Sequence, residues 1–75
     1  MKNLKITTEF ITLGQLLKIE NIISSGGEAK FYLQNNMCYV NDEPDNRRGR
    51  KLYPNDKVKV LDQEFIIKKW LRKLN

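Results

Sequence analysis

Histidine is absent from the 75-residue chain, and with it go the commonest general base, the commonest metal ligand and every nucleophile of the Ser-His or Cys-His kind. A zinc site is excluded in practice. Carboxylate pairs drawn from Glu20, Glu28, Asp42, Glu43, Asp45 and Asp56 are formally available for acid–base chemistry. Such pairs need a pocket, and a chain near the lower size limit for a single hydrophobic core has little room for one. The sequence therefore argues against an enzyme and against a cofactor or small-molecule substrate. Cysteine occurs once. Cys38 has no partner for an internal disulfide, and between Met37 and Tyr39 it reads as a small core hydrophobe.

Glycine is also scarce, at Gly14, Gly26, Gly27 and Gly49. These offsets fit neither the Walker loop nor the dinucleotide fingerprint, both of which need fixed spacings so that backbone N–H groups converge on phosphate. No apolar run approaches the roughly 20 residues of a membrane span. The N-terminal MKNLKITTEF lacks the apolar block and small-residue cleavage site of a secretion signal. One domain over residues 1–75, cytoplasmic and without a membrane partner, is the expectation.

Charge is plentiful and unevenly placed. The formal net charge is +5. Residues 1–46 hold four lysines against six acids, net −2, whereas residues 47–75 hold ten cations against three acids, net +7. Arg47, Arg48, Arg50 and Lys51, in "RRGRK", supply +4 of this. A cluster of that kind repels itself and marks an anion-binding surface, with nucleic acid the leading partner.

Lys5 to Thr12 is rich in β-branched residues and reads as a first strand with Ile6 and Phe10 inward. Thr12 and Gln15 then have the spacing of a capping box, opening a helix whose apolar stripe is Leu13, Leu16 and Leu17, with Lys18 towards solvent. Glu20 falls awkwardly within the apolar arc. An end near Asn21, which tolerates the left-handed conformation, resolves it and leaves Ile22 and Ile23 to pack from the connection. "SSGGEAK" offers a second capping box, Ser25 to Glu28, leading into a helix with Ala29, Tyr32 and Leu33 on one face. Its paired glycines leave backbone N–H groups open to a phosphate, while Glu28 either opposes an anion there or holds an arginine. Thereafter MCYVN, KVKVL and EFIIK read as strands, separated by turns at Asn41-Asp42, Tyr53 to Asp56 and Asp62-Gln63. Pro44 and the charged run to Lys51 suit an extended loop or edge, not a central strand. Val40, Val58 and Val60 are expected in the core, and Trp70 or Leu71 as an anchor for the basic tail.

Taken in order, "ITLGQLLK", "SSGGEAK", "VND", "NRRGRKL" and "PNDKV" resemble the RNA-binding domain named after small-subunit ribosomal protein S-four, the alpha-L motif. The likeness runs from about Ile11 to Val60 and is nearest to the short stand-alone members of the YaaA type. It implies an α+β fold, two short helices packed on a small, mostly antiparallel sheet, and a non-catalytic grip on structured RNA, with ribosomal RNA as a candidate. Family patterns commonly carry glycine where this chain has Asn21, Asp42 and Asn55. A small apolar residue is usual at Glu20 and a cation is frequent at Tyr53, so helix packing and local charge differ there.

Arg47, Arg48, Arg50 and Lys51 are the leading RNA-binding candidates, weighed against a merely solvated basic loop; arginine offers a planar fork to phosphate and Lys51 a point charge. Lys18 and Lys30, on solvent-facing sides of the two helices, follow. Ser25, Gly26 and Gly27 read first as capping residues and second as contacts, and Asn36 and Asn41 can hydrogen-bond sugar or phosphate or simply cap and turn. Phe31 reads as core, with stacking on an unpaired base as the alternative also open to Tyr53. Two other functions compete: an adaptor offering its basic face to an acidic protein, and a duplex-DNA binder. Against the latter, only Lys30 and Gln34 on the second helix suit base-edge readout.

Overall fold

A computed structural model of the chain describes residues 1–70. The tail after Trp70, and with it Leu71 as an anchor, lies outside them. Two helices pack on a mixed, mostly antiparallel sheet, the α+β arrangement expected from the sequence. The elements run β1 (Lys2–Ile6), β2 (Ile11–Thr12), α1 (Leu13–Ile19), α2 (Glu28–Asn35), β3 (Cys38–Val40), β4 (Glu43–Pro44), β5 (Lys51–Leu52), β6 (Lys57–Val60) and β7 (Gln63–Lys69).

Five strands form the main sheet in the order β1-β7-β6-β3-β4, and β2 pairs separately with β5. β1 lies parallel to β7, with Leu4 opposite Ile67; the other pairings are antiparallel. The first strand therefore ends at Ile6, earlier than its β-branched composition suggests. Long-range pairing with β7 decides it, and Thr7 to Phe10 bend away instead of continuing the strand. Ile6 is buried as expected, but Phe10 is only half-buried and packs on Tyr53, ring centroids 5.6 Å apart.

Alternation places Leu4, Ile6, Cys38, Val40, Val58, Val60, Phe65 and Ile67 on the inner face of the sheet, where Leu13, Leu16 and Leu17 of α1 and Ala29 and Leu33 of α2 complete the core. Cys38 is fully buried, and that burial pushes its thiol up to about 11. It behaves as packing, not as a nucleophile. Phe31 is not core: it is 72% exposed, because it lies opposite Ala29 and Leu33 on the wheel of α2.

Local signals set most of the ends. Thr12 Oγ1 accepts from the Gln15 N–H at 3.2 Å while Gln15 Oε1 accepts from the Thr12 N–H at 2.8 Å, a complete capping box. α1 ends in a Schellman motif: the Asn21 N–H donates to Lys18 O and the Ile22 N–H to Leu17 O, with Asn21 at φ 59°. Glu20, the awkward acid, is tied to Lys2 at 2.7 Å. Asn41 and Asp42, at φ 52° and 71°, join Val40 to Glu43 in a two-residue hairpin turn, and Pro54-Asn55, with Asn55 at φ 80°, makes a turn closed by the Asp56 N–H on Tyr53 O. Asn21, Asp42 and Asn55, the positions where family glycines are common, are thus all left-handed. Replacing Asn21 by alanine is expected to cost about 1 kcal/mol, since alanine tolerates the left-handed region less well than asparagine does. Asn21→Gly is expected to leave stability nearly unchanged, and urea midpoints of the two variants check the pair.

The second capping box does not form. Gly27 occupies the N-cap position of α2 in a right-handed helical conformation, and no side chain caps the helix there. Glu28 does reach back, but to the Ser24 N–H at 3.2 Å, and the Glu28 N–H is satisfied by Ser25 O at 3.1 Å. The glycine pair removes the side chain that a capping box at that position needs. Glu28 is consequently a local brace, and among the described residues it holds no arginine.

Candidate nucleic-acid interface

Up to Arg50 the basic run is a strap folded around one carboxylate, and Lys51 begins β5. Asp45 is the single buried charged residue among those described. Its Oδ1 accepts from the Arg47 N–H at 2.9 Å, closing an Asx turn, and from Arg47 Nε at 3.0 Å. Its Oδ2 accepts from Arg47 Nη2 at 2.7 Å and Arg50 Nη1 at 2.9 Å. The hydrogen bonds from Arg47 hold the Asp45 carboxyl well below the usual carboxylate range, against the opposing pull of burial. In turn the Asp45 N–H donates to Cys38 O at 2.9 Å, fixing the strap to β3.

The strap then caps α1. The Leu13 N–H donates to Arg50 O and the Gly14 N–H to Arg48 O, each at 2.9 Å. Two of the N–H groups that a helix start leaves unpaired are thereby spent on backbone carbonyls of the basic run. Approach this close needs glycine: a Cβ on Gly14 would lie 3.2 Å from Arg48 O and 3.5 Å from the Ala29 Cβ. Gly14 is the point where α1, α2 and the strap meet.

Two grooves flank the strap. The first, about 410 Å³, is lined by Thr12, Gly14, Gln15, Lys18, Gly26, Ala29, Arg48 and Gly49. It brings together Lys18 and Arg48, with no acid in its wall. Both side chains are exposed, and among the described residues neither forms an ion pair. Gly26 opens onto space, with no atom within 4 Å of where its Cβ would be. The second groove, about 620 Å³, is lined by Arg47, Gly49, Arg50, Lys51, Tyr53 and Asp56. There Lys51 Nζ stands 4.9 Å over the Phe10 ring, and Tyr53 is 41% exposed.

The sequence candidates divide accordingly. Arg48, Lys18 and Gly26 converge on the first groove, and Arg47, Arg50 and Lys51 on the second. Ser25, Gly27 and Lys30 are exposed beside the first groove's α2 edge without lining it. Asn36 caps the far end of α2, its Nδ2 donating to Tyr32 O at 3.1 Å. Asn41 braces the hairpin, donating to Asp56 Oδ1 and accepting from the Lys57 N–H at 3.0 Å. What the sequence reading missed is the organising role of Asp45 and the pivot at Gly14. Asp-x-Arg after a proline was the available signal for the former.

A sheet edge, two short helices and a cation-bearing strap docked on the first helix define a family. A family model described as S4 domain matches residues 4–68, reaching beyond the Ile11 to Val60 stretch into β1 and β7, and the chain belongs to that family. Within it, the chain is 58% identical over 57 residues to a protein of Bacillus subtilis (strain 168) named "Probable ribosome maturation protein RlbA", a match covering 76% of this chain and 80% of that protein.

Proposed function

We propose that this chain is a non-catalytic RNA-binding protein that grips structured RNA, ribosomal RNA foremost, through the groove between α1, the Ser25 to Gly27 turn and the basic strap. The observation that carries the reading is the convergence of Lys18 and Arg48 on an acid-free groove whose floor includes the bare backbone of Gly26. Glycine is not required at Gly26 for φ, since no glycine has positive φ among the described residues. An open backbone beside two free cations suits close approach of a phosphate–sugar chain. The second groove extends the same grip, and Phe31, outward on α2 next to Lys30, offers a ring for an unpaired base. The ribosome maturation role in the name of the Bacillus protein is the reason for preferring ribosomal RNA, and a cytoplasmic site of action goes with it. Among the described residues no helix is long and apolar enough to cross a membrane.

The test is a salt series of binding to ribosomal RNA fragments, a tRNA and duplex DNA, with wild type and Lys18→Gln/Arg48→Ala. Arg47 is a poor choice for this purpose, because its loss would also disturb the strap. Counterion release predicts that the log–log slope for structured RNA falls by about 0.7 to 0.9 for each phosphate contact removed. Wild type is expected to prefer RNA to duplex DNA. An unchanged slope in the double variant, or equal affinity for an acidic protein, removes the groove as an RNA site and returns the adaptor reading.

A further inference from the structure

The strap does not account for all the excess charge of the second half of the chain. Lys57, Lys59 and Lys68 lie on the main sheet, and its registers place them on the face turned away from the helices. Tyr39 is opposite Lys59, which is opposite Glu64; Lys57 is opposite Ile66; and Lys5 is opposite Lys68. Along the paired strands this outer face thus carries Lys5, Lys57, Lys59 and Lys68 against the one acid Glu64, with Asp42 of the β3–β4 turn at its margin. Among the described residues, none of the four lysines has a carboxylate within ion-pair distance.

Edge protection applies at most to Lys5, on the edge strand β1, and does not explain Lys57, Lys59 and Lys68. Lysine commonly blunts edge strands, but β6 and β7 are interior to the sheet, where lysine is a poor strand former, and a like-charged pair such as Lys5 and Lys68 is unfavourable. The same face exposes aromatic rings. Tyr39 is 38% and Trp70 50% exposed, and Lys5 Nζ stands 5.3 Å from the centre of the Trp70 ring. A cavity of about 150 Å³ opens between Tyr39, Lys57, Lys59, Glu64 and Asp42. Rings to stack on, ammonium groups for phosphates and carboxylates able to accept from base amino groups are the components of a platform for unpaired nucleotides.

We propose that the outer face of the sheet is a second RNA surface, one that takes an unpaired strand while the helix-side groove holds folded RNA. This rests on the RNA reading given above for that groove. The hydrophobic core separates the two surfaces, so both can be filled at once and the protein can join two RNA segments. An acidic protein segment would satisfy the lysines but not employ the rings, which is why RNA is the occupant favoured.

The experiment uses the full chain, a labelled ribosomal RNA hairpin and a differently labelled unpaired RNA strand of about ten nucleotides, with energy transfer between the labels as readout. Wild type saturated with hairpin is expected to capture the unpaired strand and bring the labels together. Tyr39→Ser/Lys59→Gln should weaken capture of the unpaired strand by about tenfold or more while hairpin affinity stays as in wild type; Lys18→Gln/Arg48→Ala should do the reverse. Circular dichroism of both variants verifies that they are folded. Competition of hairpin and strand for one site overturns the second surface alone, as does unchanged strand capture by the Tyr39/Lys59 variant. A polyglutamate peptide bound as tightly as the strand, and lost with the same substitutions, overturns RNA as its occupant. Failure of wild type to bind either RNA overturns the RNA reading of the groove and this proposal with it.

Discussion

Asp45→Ala is expected to lower stability by about 2 to 4 kcal/mol and, although it makes the protein more basic, to weaken its grip on RNA. The stability loss follows from four hydrogen bonds converging on one buried carboxylate. It stays below the extreme for buried ion pairs because the Arg47 side chain is 68% exposed, so its cation returns to water when the partner is removed. Binding is where charge counting and geometry disagree. One acid fewer in a cationic region favours RNA modestly, in an exposed and screened setting. Without Asp45, however, Arg47, Arg48 and Arg50 must be ordered on binding, at roughly 0.5 to 1.5 kcal/mol for each long side chain. Geometry wins, and the affinity falls. Urea unfolding gives the first number and titration with a ribosomal RNA fragment the second; tighter binding by Asp45→Ala would mean that the strap has no part in pre-arranging the cations.

The same carboxylate gives the protein an acid-side pH dependence. Its folded value is depressed relative to about 3.9 in the unfolded chain. The folded state therefore binds its proton less readily, and the stabilisation is fully present above the unfolded value. It is lost progressively as pH falls from there through the folded value. Asp45→Asn keeps an oxygen for the Arg47 N–H but has no charge to titrate. The wild-type stability curve is expected to drop more steeply than the Asn variant's below about pH 4, and the difference between the two curves isolates this group.

Which features were legible in the sequence depended on how local their causes are. The capping box of Thr12 and Gln15 and the left-handed Asn21 involve residues within one turn, and both stand as read. The strands over Cys38–Val40, Lys57–Val60 and Gln63–Lys69 followed from alternation and turn residues. By contrast β1 is placed by a parallel partner some sixty residues away, and composition alone drew it too late in the chain. The capping box at Ser25 failed because two glycines let the chain enter α2 without any side-chain acceptor. Phe31 reads as core by its hydrophobicity, although helical spacing already sets it off the stripe of Ala29, Tyr32 and Leu33, and the spacing rather than the residue type decides its exposure. For the candidate site, cation clustering gave the strap but not its division between two grooves. That division depends on Asp45 turning Arg47 and Arg50 one way while Arg48, its carbonyl held by α1, faces the other groove.

Gly14→Val is expected to be the most damaging single change at the candidate groove, at about 2 to 4 kcal/mol of stability together with loss of RNA affinity. The reason lies in what a side chain meets there. Even a lone Cβ would sit 3.2 Å from Arg48 O, a backbone atom that cannot rotate away, and 3.5 Å from the Ala29 Cβ on the neighbouring helix. Gly14→Ala is accordingly close to neutral: the helix start gains up to about 1 kcal/mol from the better helix former, and a shift of a few tenths of an ångström in the strap consumes it. Valine adds two methyl groups that have no such escape. They force the strap and α2 outward, so the Gly14 N–H and Leu13 N–H lose the carbonyls of Arg48 and Arg50, and Arg48 moves away from Lys18. Gly26→Ala provides the contrast. Its Cβ meets no protein atom within 4 Å, so the fold should be untouched while a phosphate–sugar chain approaching that backbone is held off. Urea midpoints and RNA titrations of the three variants separate the effects: valine lowers both, alanine at Gly26 lowers affinity alone. A Gly14→Val protein as stable as wild type would show that the strap does not rest on α1 through these two hydrogen bonds.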